Sequence, residues 1–399
     1  MDLDNLFKSS MSKAETKVKT TDLIVSDDIC FLESIDELYA IEGFTTPLKV
    51  ADIDDDSWHK NDLTIKNVIL DLRETNDIVS EVSEISSRLD VSISLIVVTC
   101  LDSIVMRDRV LALGANYVLW DDELDGLLGA IKIETDETTF NVNKKKSRVA
   151  KRVLILGSKG GIGVSSIGSY LSYSLSQQAS LKTLLVEHDT TALNSDIFLA
   201  VKGLKSKQSS IDLNQSELDA AIASAYVHRV KDKLDFLALE KNPACLIDHA
   251  DSLYRISSEL IDQYNFIVDS VPLSALDELH ADNFVERYHR IFVVCEPSVS
   301  SLRSYNTIKK KIGKTPHQVI FSMTRHQKDY MVPLQSAKEK IKAKESIDIA
   351  YEASLEKIII QDGIHCLAKT KLHSAIAVMV NNLSGKKVKK ESRLKWLKK

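Results

Sequence analysis

The chain has 399 residues, with 52 Lys+Arg against 57 Asp+Glu, a formal net charge of −5, 44% hydrophobic and 27% charged residues. At roughly 100–200 residues per domain this length predicts two or three domains with their own cores, and the composition excludes disordered and collagen-like chains. No run approaches the ~18 apolar residues that span a bilayer, and Met1-Asp2-Leu3-Asp4 lacks the basic flank and apolar core of a signal peptide, so a cytoplasmic protein is expected.

Residues 1–20 are polar and aperiodic, a disordered lead-in. From 21 to 132, short aliphatic runs (Leu23–Ser26, Asn67–Leu70, Ser94–Thr99, Tyr117–Trp120) alternate with helical patterns, Ile78–Leu89 and Ile104–Leu113 among them. That alternation predicts an α/β domain with a parallel sheet. Residues 133–152 are polar and then basic, the pattern of a linker. A second βα series begins at Arg152-Val-Leu-Ile-Leu-Gly157 and continues through Thr183–Val186, Phe266–Asp269, Ile291–Cys295 and Gln318–Ser322, all short and β-branched as buried parallel strands are. Beyond 322 the pattern is largely helical to about 384, and 386–399 form a basic tail.

Charge follows the same divisions. Residues 1–143 hold 30 acids and 12 bases, net −18; 144–152 hold six bases and no acid; 153–385 hold 26 of each; 386–399 hold eight bases and one acid, net +7. The five cysteines, Cys30, Cys100, Cys245, Cys295 and Cys366, are scattered without metal-ligand spacing. They are expected to be reduced thiols, most of them in the interior.

Only 13 residues are glycine, yet Gly157, Gly160, Gly161 and Gly163 fall within seven positions, between an apolar strand and a helix whose Ile167, Leu171 and Leu175 recur at i, i+4, i+8. Such a turn lets backbone N–H groups wrap a phosphate, and the helix N-terminus adds favourable partial charge. Ser165 stands where a P-loop places its magnesium-binding hydroxyl, but Val164 replaces the lysine expected before it. The alternative is a turn that merely lets helix and strand pack closely.

Lys159-Gly-Gly-Ile-Gly-Val-Ser165 resembles the deviant Walker A motif of the ParA/MinD family of ATPases. That resemblance implies ATP and Mg2+ as cofactors and a homodimer in which Lys159 reaches the partner's nucleotide. Gly160, Gly161, Gly163 and Val164 would then offer N–H groups, Ser165 would ligate Mg2+, and Ser166 would reach the α-phosphate. Thr183-Leu-Leu-Val-Glu-His-Asp189 is similar to the family's second-strand motif, making Asp189 catalytic and Glu187 a nucleotide-site acid. Tyr264-Asn-Phe-Ile-Val-Asp269 is similar to its Walker B strand, placing Asp269 at magnesium or its water. Ile291–Pro297 with Ser300-Ser-Leu-Arg303 is similar to a strand and loop near the nucleotide. In Val319-Ile-Phe-Ser-Met-Thr-Arg325, Thr324 stands where the family's Asn reads adenine, followed by Arg325. Val164 and Thr324 imply weak or absent hydrolysis.

The first domain resembles a response-regulator receiver. Asp27 and Asp28 follow the first strand, Asp71 ends the third and Thr99 ends the fourth, all at carboxyl ends of parallel strands, where open sheets place their sites. Trp120 stands where a receiver has a phosphate-neutralising lysine, so a docking domain of receiver shape is expected. Together the two domains resemble the TadZ/CpaE proteins of Flp (Tad) pilus assembly. This implies a localisation and assembly hub that binds pilus secretion machinery components, cytoplasmic or polar and peripheral to the inner membrane. The basic tail, with Trp396 and Leu397 interleaved, suits weak contact with an anionic membrane; DNA is disfavoured. Two alternatives stay open: a ParA/MinD-type positioning or partitioning ATPase acting on DNA or membrane, and a phosphorylation-controlled receiver output protein.

Overall fold

The computed structural model describes residues 20–53, 64–121, 124–132, 148–190, 193–201, 207–208, 218–240, 249–279, 287–313, 315–343 and 345–386. The expected lead-in through residue 19, the linker over 133–147 and the tail from 387 lie outside these. The chain divides into two units near residue 145, with Ser87–Val91 counted in the second. No helix among the described residues is long and apolar enough to cross a membrane.

In the first unit, strands β1 (Thr20–Val25), β2 (Leu48–Val50), β3 (Thr64–Asp71), β4 (Ser94–Thr99) and β5 (Ala115–Leu119) form a parallel sheet in the order β2-β1-β3-β4-β5. This is the doubly wound, flavodoxin-like order, whose ligand crevice lies outside the carboxyl ends of β1 and β3. Helix α1 (Ile29–Glu42) starts where Asp28 accepts the Cys30 amide at 2.9 Å and ends at Gly43, whose φ of 70° suits glycine. Helices α2 (Ile78–Arg88), α3 (Ile104–Ala112) and α4 (Asp125–Lys132) complete the unit. Phe31 and Ile35 of α1, Ile24, Ile69 and Val98 of the sheet and Leu127 of α4 share one core. The three-residue β2 is too short to leave a periodic signature, and it went unpredicted.

The second unit contains β6 (Lys151–Gly157), α5 (Val164–Tyr173), β7 (Thr183–Glu187), α6 (Ser195–Phe198), β8 (Lys207–Gln208), α7 (Ala220–Ser224), β9 (His228–Lys231), β10 (Leu234–Leu237), β11 (Leu239–Glu240), α8 (His249–Glu259), β12 (Phe266–Val271), β13 (Arg290–Cys295), α9 (Val299–Ile312), β14 (Gln318–Ser322), α10 (Leu334–Ile341), β15 (Ser346–Ile349), α11 (Leu355–Lys357) and α12 (Lys371–Ser384). Its eight-stranded sheet runs β15-β14-β13-β6-β12-β7-β10-β9, parallel except for β9 at the edge, while β8 and β11 pair separately. The chain leaves β6 toward β12 and β7 on one side and returns to β13, β14 and β15 on the other. The carboxyl end of β6 is therefore a topological switch point.

Side chains alternate across this sheet. Ile155, Leu185 and Val268 face α5 and α12, whose Ile167, Leu171, Leu175, Ile376 and Met379 fill one core. Leu154, Leu156 and Val271 face the opposite layer with Leu302 of α9 and Ala337 of α10. Ile267 faces α8 on that side, through Leu253 and Ile256. Each buried Leu or Ile contributes about 1.5–3 kcal/mol.

Three expectations need correction. The stretch after 322 is not only helical: β15 alternates buried Ile347 and Ile349 with exposed Asp348, a short edge strand hidden in a lysine-rich sequence. The strand β6 begins at Lys151, inside the stretch read as linker, because Lys151 and Arg152 continue the ladder with Phe266 and Ile267. Cys30, Cys100 and Cys366 are exposed and only Cys295 is buried among the described cysteines; the first three follow strand ends or helix starts rather than lying within strands.

Candidate functional site

The glycine-rich turn joins β6 to α5 at the switch point. Gly161 (φ 74°) and Gly163 (φ 90°) adopt left-handed conformations that residues with a Cβ seldom take, and Gly163 caps α5. A Cβ built at Gly160 or Gly161 would meet nothing within 4 Å, so the outer face of the turn is open, as an anion cradle must be. Ser165 and Ser166 lie half-buried in the first turn of α5. The Val164 side chain turns inward: a Cβ on Gly157 would stand 2.7 Å from its Cγ2. This position supplies packing instead of a phosphate-neutralising cation.

These residues suit a bound phosphate chain. The second unit is a P-loop NTPase fold. Its assignment rests on the strand order, the switch point and the glycine turn that opens α5. No protein-family model matches the chain, and no curated protein matches it. Among solved structures, a ParA family ATPase from Chlorobium tepidum TLS is similar over 59% of this chain and 100% of its own, at 19% identity and a TM-score of 0.47. The MinD cell division protein of Aquifex aeolicus is similar over 60% of this chain and 99% of its own, at 18% identity and a TM-score of 0.45. The septum site-determining protein MinD of Pyrococcus horikoshii OT3, complexed with Mg-ADP, is similar over 58% of this chain and 95% of its own, at 15% identity and a TM-score of 0.45.

Glu187, at the end of β7, is buried on the α5 side of the sheet, in register with Ser270 of β12. It accepts hydrogen bonds from Ser195 Oγ and, at 3.4 Å, from the Asp189 amide. Burial pushes its carboxyl up to about 7, and those neutral donors only partly offset the effect. Ser270 Oγ is buried beside Glu187, where it also favours the carboxylate, and a Cβ on Gly168 of α5 would lie 3.3 Å from Ser270 Cβ. Glu187 and Ser270, with half-buried Asp189 following β7, are therefore the polar groups that the sheet presents beside the turn.

Asp269 lies on the other face of the sheet. Because successive strand residues point to opposite faces, the residue that faces α5 is Ser270, and Asp269 faces the other layer. There Arg152 Nη1 donates to Asp269 Oδ2 at 3.1 Å and His188 Nε2 lies 2.9 Å from Oδ1, all three side chains being buried. Arg152 also donates to Ser257 Oγ at 2.7 Å and stacks its guanidinium 4.5 Å from the Tyr254 ring centre. Burial opposes the charge on Asp269, but Arg152 and then His188 outweigh it and hold the carboxyl below its ordinary range. The geometry is that of a buried ion pair.

Lys159 and Thr324 converge on Glu296, which sequence reasoning did not single out. Lys159 Nζ donates to Glu296 Oε1 at 2.7 Å, Thr324 Oγ1 to Oε2 at 2.8 Å, and Tyr330 OH to Oε2 at 3.2 Å. Burial raises the Glu296 carboxyl, and the Lys159, Thr324 and Ser298 contacts more than reverse this. Arg325 stacks 4.5 Å from the Tyr330 ring centre. The signal for Glu296 was an acid at the end of a hydrophobic strand, in IFVVCEP, adjacent to β6.

In the first unit, Asp28 and Asp71 come together, but through a residue not foreseen. Arg73 Nε donates to Asp71 Oδ1 at 2.8 Å, and Arg73 Nη2 to Asp71 Oδ2 at 2.9 Å and to Asp28 Oδ2 at 2.5 Å. Asp27 is exposed, and Thr99 is buried with its hydroxyl accepting the Leu101 amide at 3.2 Å. No group of three or more His, Cys, Asp or Glu suited to a metal is present among the described residues.

Proposed function

We propose that this chain is an ATP-binding localisation and assembly hub of the Flp (Tad) pilus machinery, acting as a homodimer with weak or absent hydrolysis. The observation that carries the nucleotide part is the turn at the carboxyl end of β6. Its left-handed glycines and open outer face keep an anion cradle, while Val164 packs into Gly157 where a cation would sit. Losing one preorganised charge donor at a reacting phosphoryl group lowers the rate by about a hundred- to a thousandfold, which suits a binding switch better than a fast enzyme.

Within this reading, backbone groups of Gly160, Gly161, Gly163 and Val164 hold phosphate, and Ser165 with Glu187 and Asp189 faces the magnesium side. Magnesium supplies charge neutralisation when bound, and Lys159 leaves Glu296 to reach a partner's nucleotide. The first unit serves as a receiver-shaped docking domain, and the basic tail meets anionic lipid or pilus components. Support for the hub role comes from the pairing of an acidic α/β domain with a P-loop domain that lacks its lysine.

Calorimetric titration with Mg-ATP, with light scattering for mass, tests the first half: wild type binds and dimerises with negligible turnover, and Val164→Lys raises turnover. A fluorescent fusion tests the second, by forming polar foci that depend on residues 21–132. Absence of ATP binding at millimolar concentration, or diffuse fluorescence with normal piliation in a deletion strain, overturns the corresponding half.

A further inference from the structure

Two carboxylates from strands far apart in sequence meet at the carboxyl ends of β1 and β3, and such a pair requires a cation or a proton. We infer that the Arg73 guanidinium is the resident cation of this pocket, standing in for a divalent metal and fixing the first unit in one charge state whatever the supply of Mg2+ or phosphoryl donors. This does not depend on the nucleotide reading.

Every acceptor position that a metal or an incoming phosphoryl group would need on Asp71 is engaged. Oδ1 takes Arg73 Nε at 2.8 Å and the Arg73 amide at 3.3 Å; Oδ2 takes Arg73 Nη2 at 2.9 Å and Ser26 Oγ at 2.8 Å. On Asp28, Oδ1 caps α1 through the Cys30 amide and Oδ2 takes the same Nη2. The fork thus bridges both acids, the bidentate geometry that arginine offers and lysine does not.

The guanidinium is also held from its faces. Its carbon lies 4.6 Å from the Phe31 ring centre and 4.7 Å from that of Trp120. Phe31 and Trp120 are themselves 5.0 Å apart, so the cation is wedged where α1, the end of β3 and the end of β5 meet. Asp71 raises the Arg73 pKa first, against burial, and Asp28 adds to the effect, so no accessible pH releases the charge. Trp120, which follows β5, completes the wedge with its ring instead of with a cation.

Divalent-ion titration of the full chain, followed by Trp120 fluorescence against a Trp120→Phe control, tests the inference. Wild type should be indifferent to millimolar Mg2+ or Mn2+ at this pocket. In Arg73→Ala the two acids lose their neutralising charge, and apparent affinity for Mn2+ should rise by about tenfold or more, an effect abolished in Arg73→Ala/Asp71→Asn. Arg73→Lys retains a charge without the fork and should remain indifferent, with Trp120 emission altered; this variant and wild type carry the test if Arg73→Ala fails to fold. Saturable Mn2+ binding by wild type that is lost in Asp71→Asn overturns the inference. So does stable labelling of wild type at Asp71 by acetyl phosphate, or a folded Arg73→Ala chain with no gain in Mn2+ binding.

Discussion

Replacing Arg152 by Met should be the most destabilising single change of charge in the second unit. Methionine keeps an unbranched stem of similar length but removes the guanidinium that stacks on Tyr254, leaving Asp269 buried with His188 as its remaining partner. Breaking a buried pair by removing one member costs about 3–5 kcal/mol, because the surviving charge has lost both water and its partner. With a urea slope near 3 kcal/mol per M, the midpoint should fall by about 1–1.7 M. Far-UV circular dichroism reads this transition, and Trp120 fluorescence reads the first unit separately.

The pH dependence fixes the cause. In wild type the folded Asp269 pKa lies below its unfolded value, so the stability it contributes is present above the unfolded pKa of about 3.9 and is lost as pH falls through the folded one. In Arg152→Met the surviving carboxyl prefers to be neutral, so the penalty should be largest above neutrality and shrink toward pH 5. Arg152→Met/Asp269→Leu removes the orphaned charge and should recover most of the loss, far from additively. A single-variant cost under about 1 kcal/mol, or an additive double variant, would refute a structural ion pair. Asp269→Asn should lower stability while leaving Mg-ATP binding by the folded protein intact; loss of binding without loss of stability would return Asp269 to the nucleotide.

Glu187 should act in the opposite sense. Its folded pKa of about 7 lies above the ordinary 4.5, so the folded state holds the proton more tightly and stability falls as pH rises between those values. Glu187→Gln should flatten that limb and gain up to about 3 kcal/mol at pH 8, read by urea denaturation at several pH values. Gly157→Ala should cost about 1–3 kcal/mol by overpacking against Val164 and be rescued by Val164→Ala; no rescue would mean that the close contact is not the cause. In the native protein, a thiol reagent should modify Cys30, Cys100 and Cys366 quickly and Cys295 only after unfolding, as mass spectrometry of the labelled peptides will show.

The sequence displayed what is local. The runs that became β3, β4, β6, β7, β12, β13 and β14 are continuous and β-branched, and the glycine turn is contiguous, so both were readable from neighbours along the chain. Short edge strands such as β2 and β15 were not, because three or four residues give too little period to separate from a loop or helix. Asp269 faces away from α5 while its neighbour Ser270 faces toward it, a difference that a motif written along one strand does not display. The alternation shows the face: Val268 and Ser270 share one, and Gly168 marks it as the side of α5.

Neutralising cations explain the remaining differences. Motif reading assigned Asp28, Asp71 and Asp269 to phosphate or metal chemistry by their place at strand ends, but whether a carboxylate can bind a metal depends on what already neutralises it. Arg73 stands two residues beyond Asp71 but is not part of the receiver pattern, and Arg152 lies on a strand more than a hundred residues before Asp269, so neither pairing reads as a motif. Lys159 neutralises Glu296 in the same way. Glu187 is different: Ser195 Oγ and the Asp189 amide that donate to it are neutral, and burial raises its carboxyl more than they lower it. An acid kept half-protonated beside an open glycine turn gains most from an arriving divalent ion, which would expel the proton and restore the charge. Mg-ATP binding should therefore release protons near pH 7, measurable as a buffer-dependent heat that disappears in Glu187→Gln. A heat independent of the buffer would remove Glu187 from the magnesium side of the site.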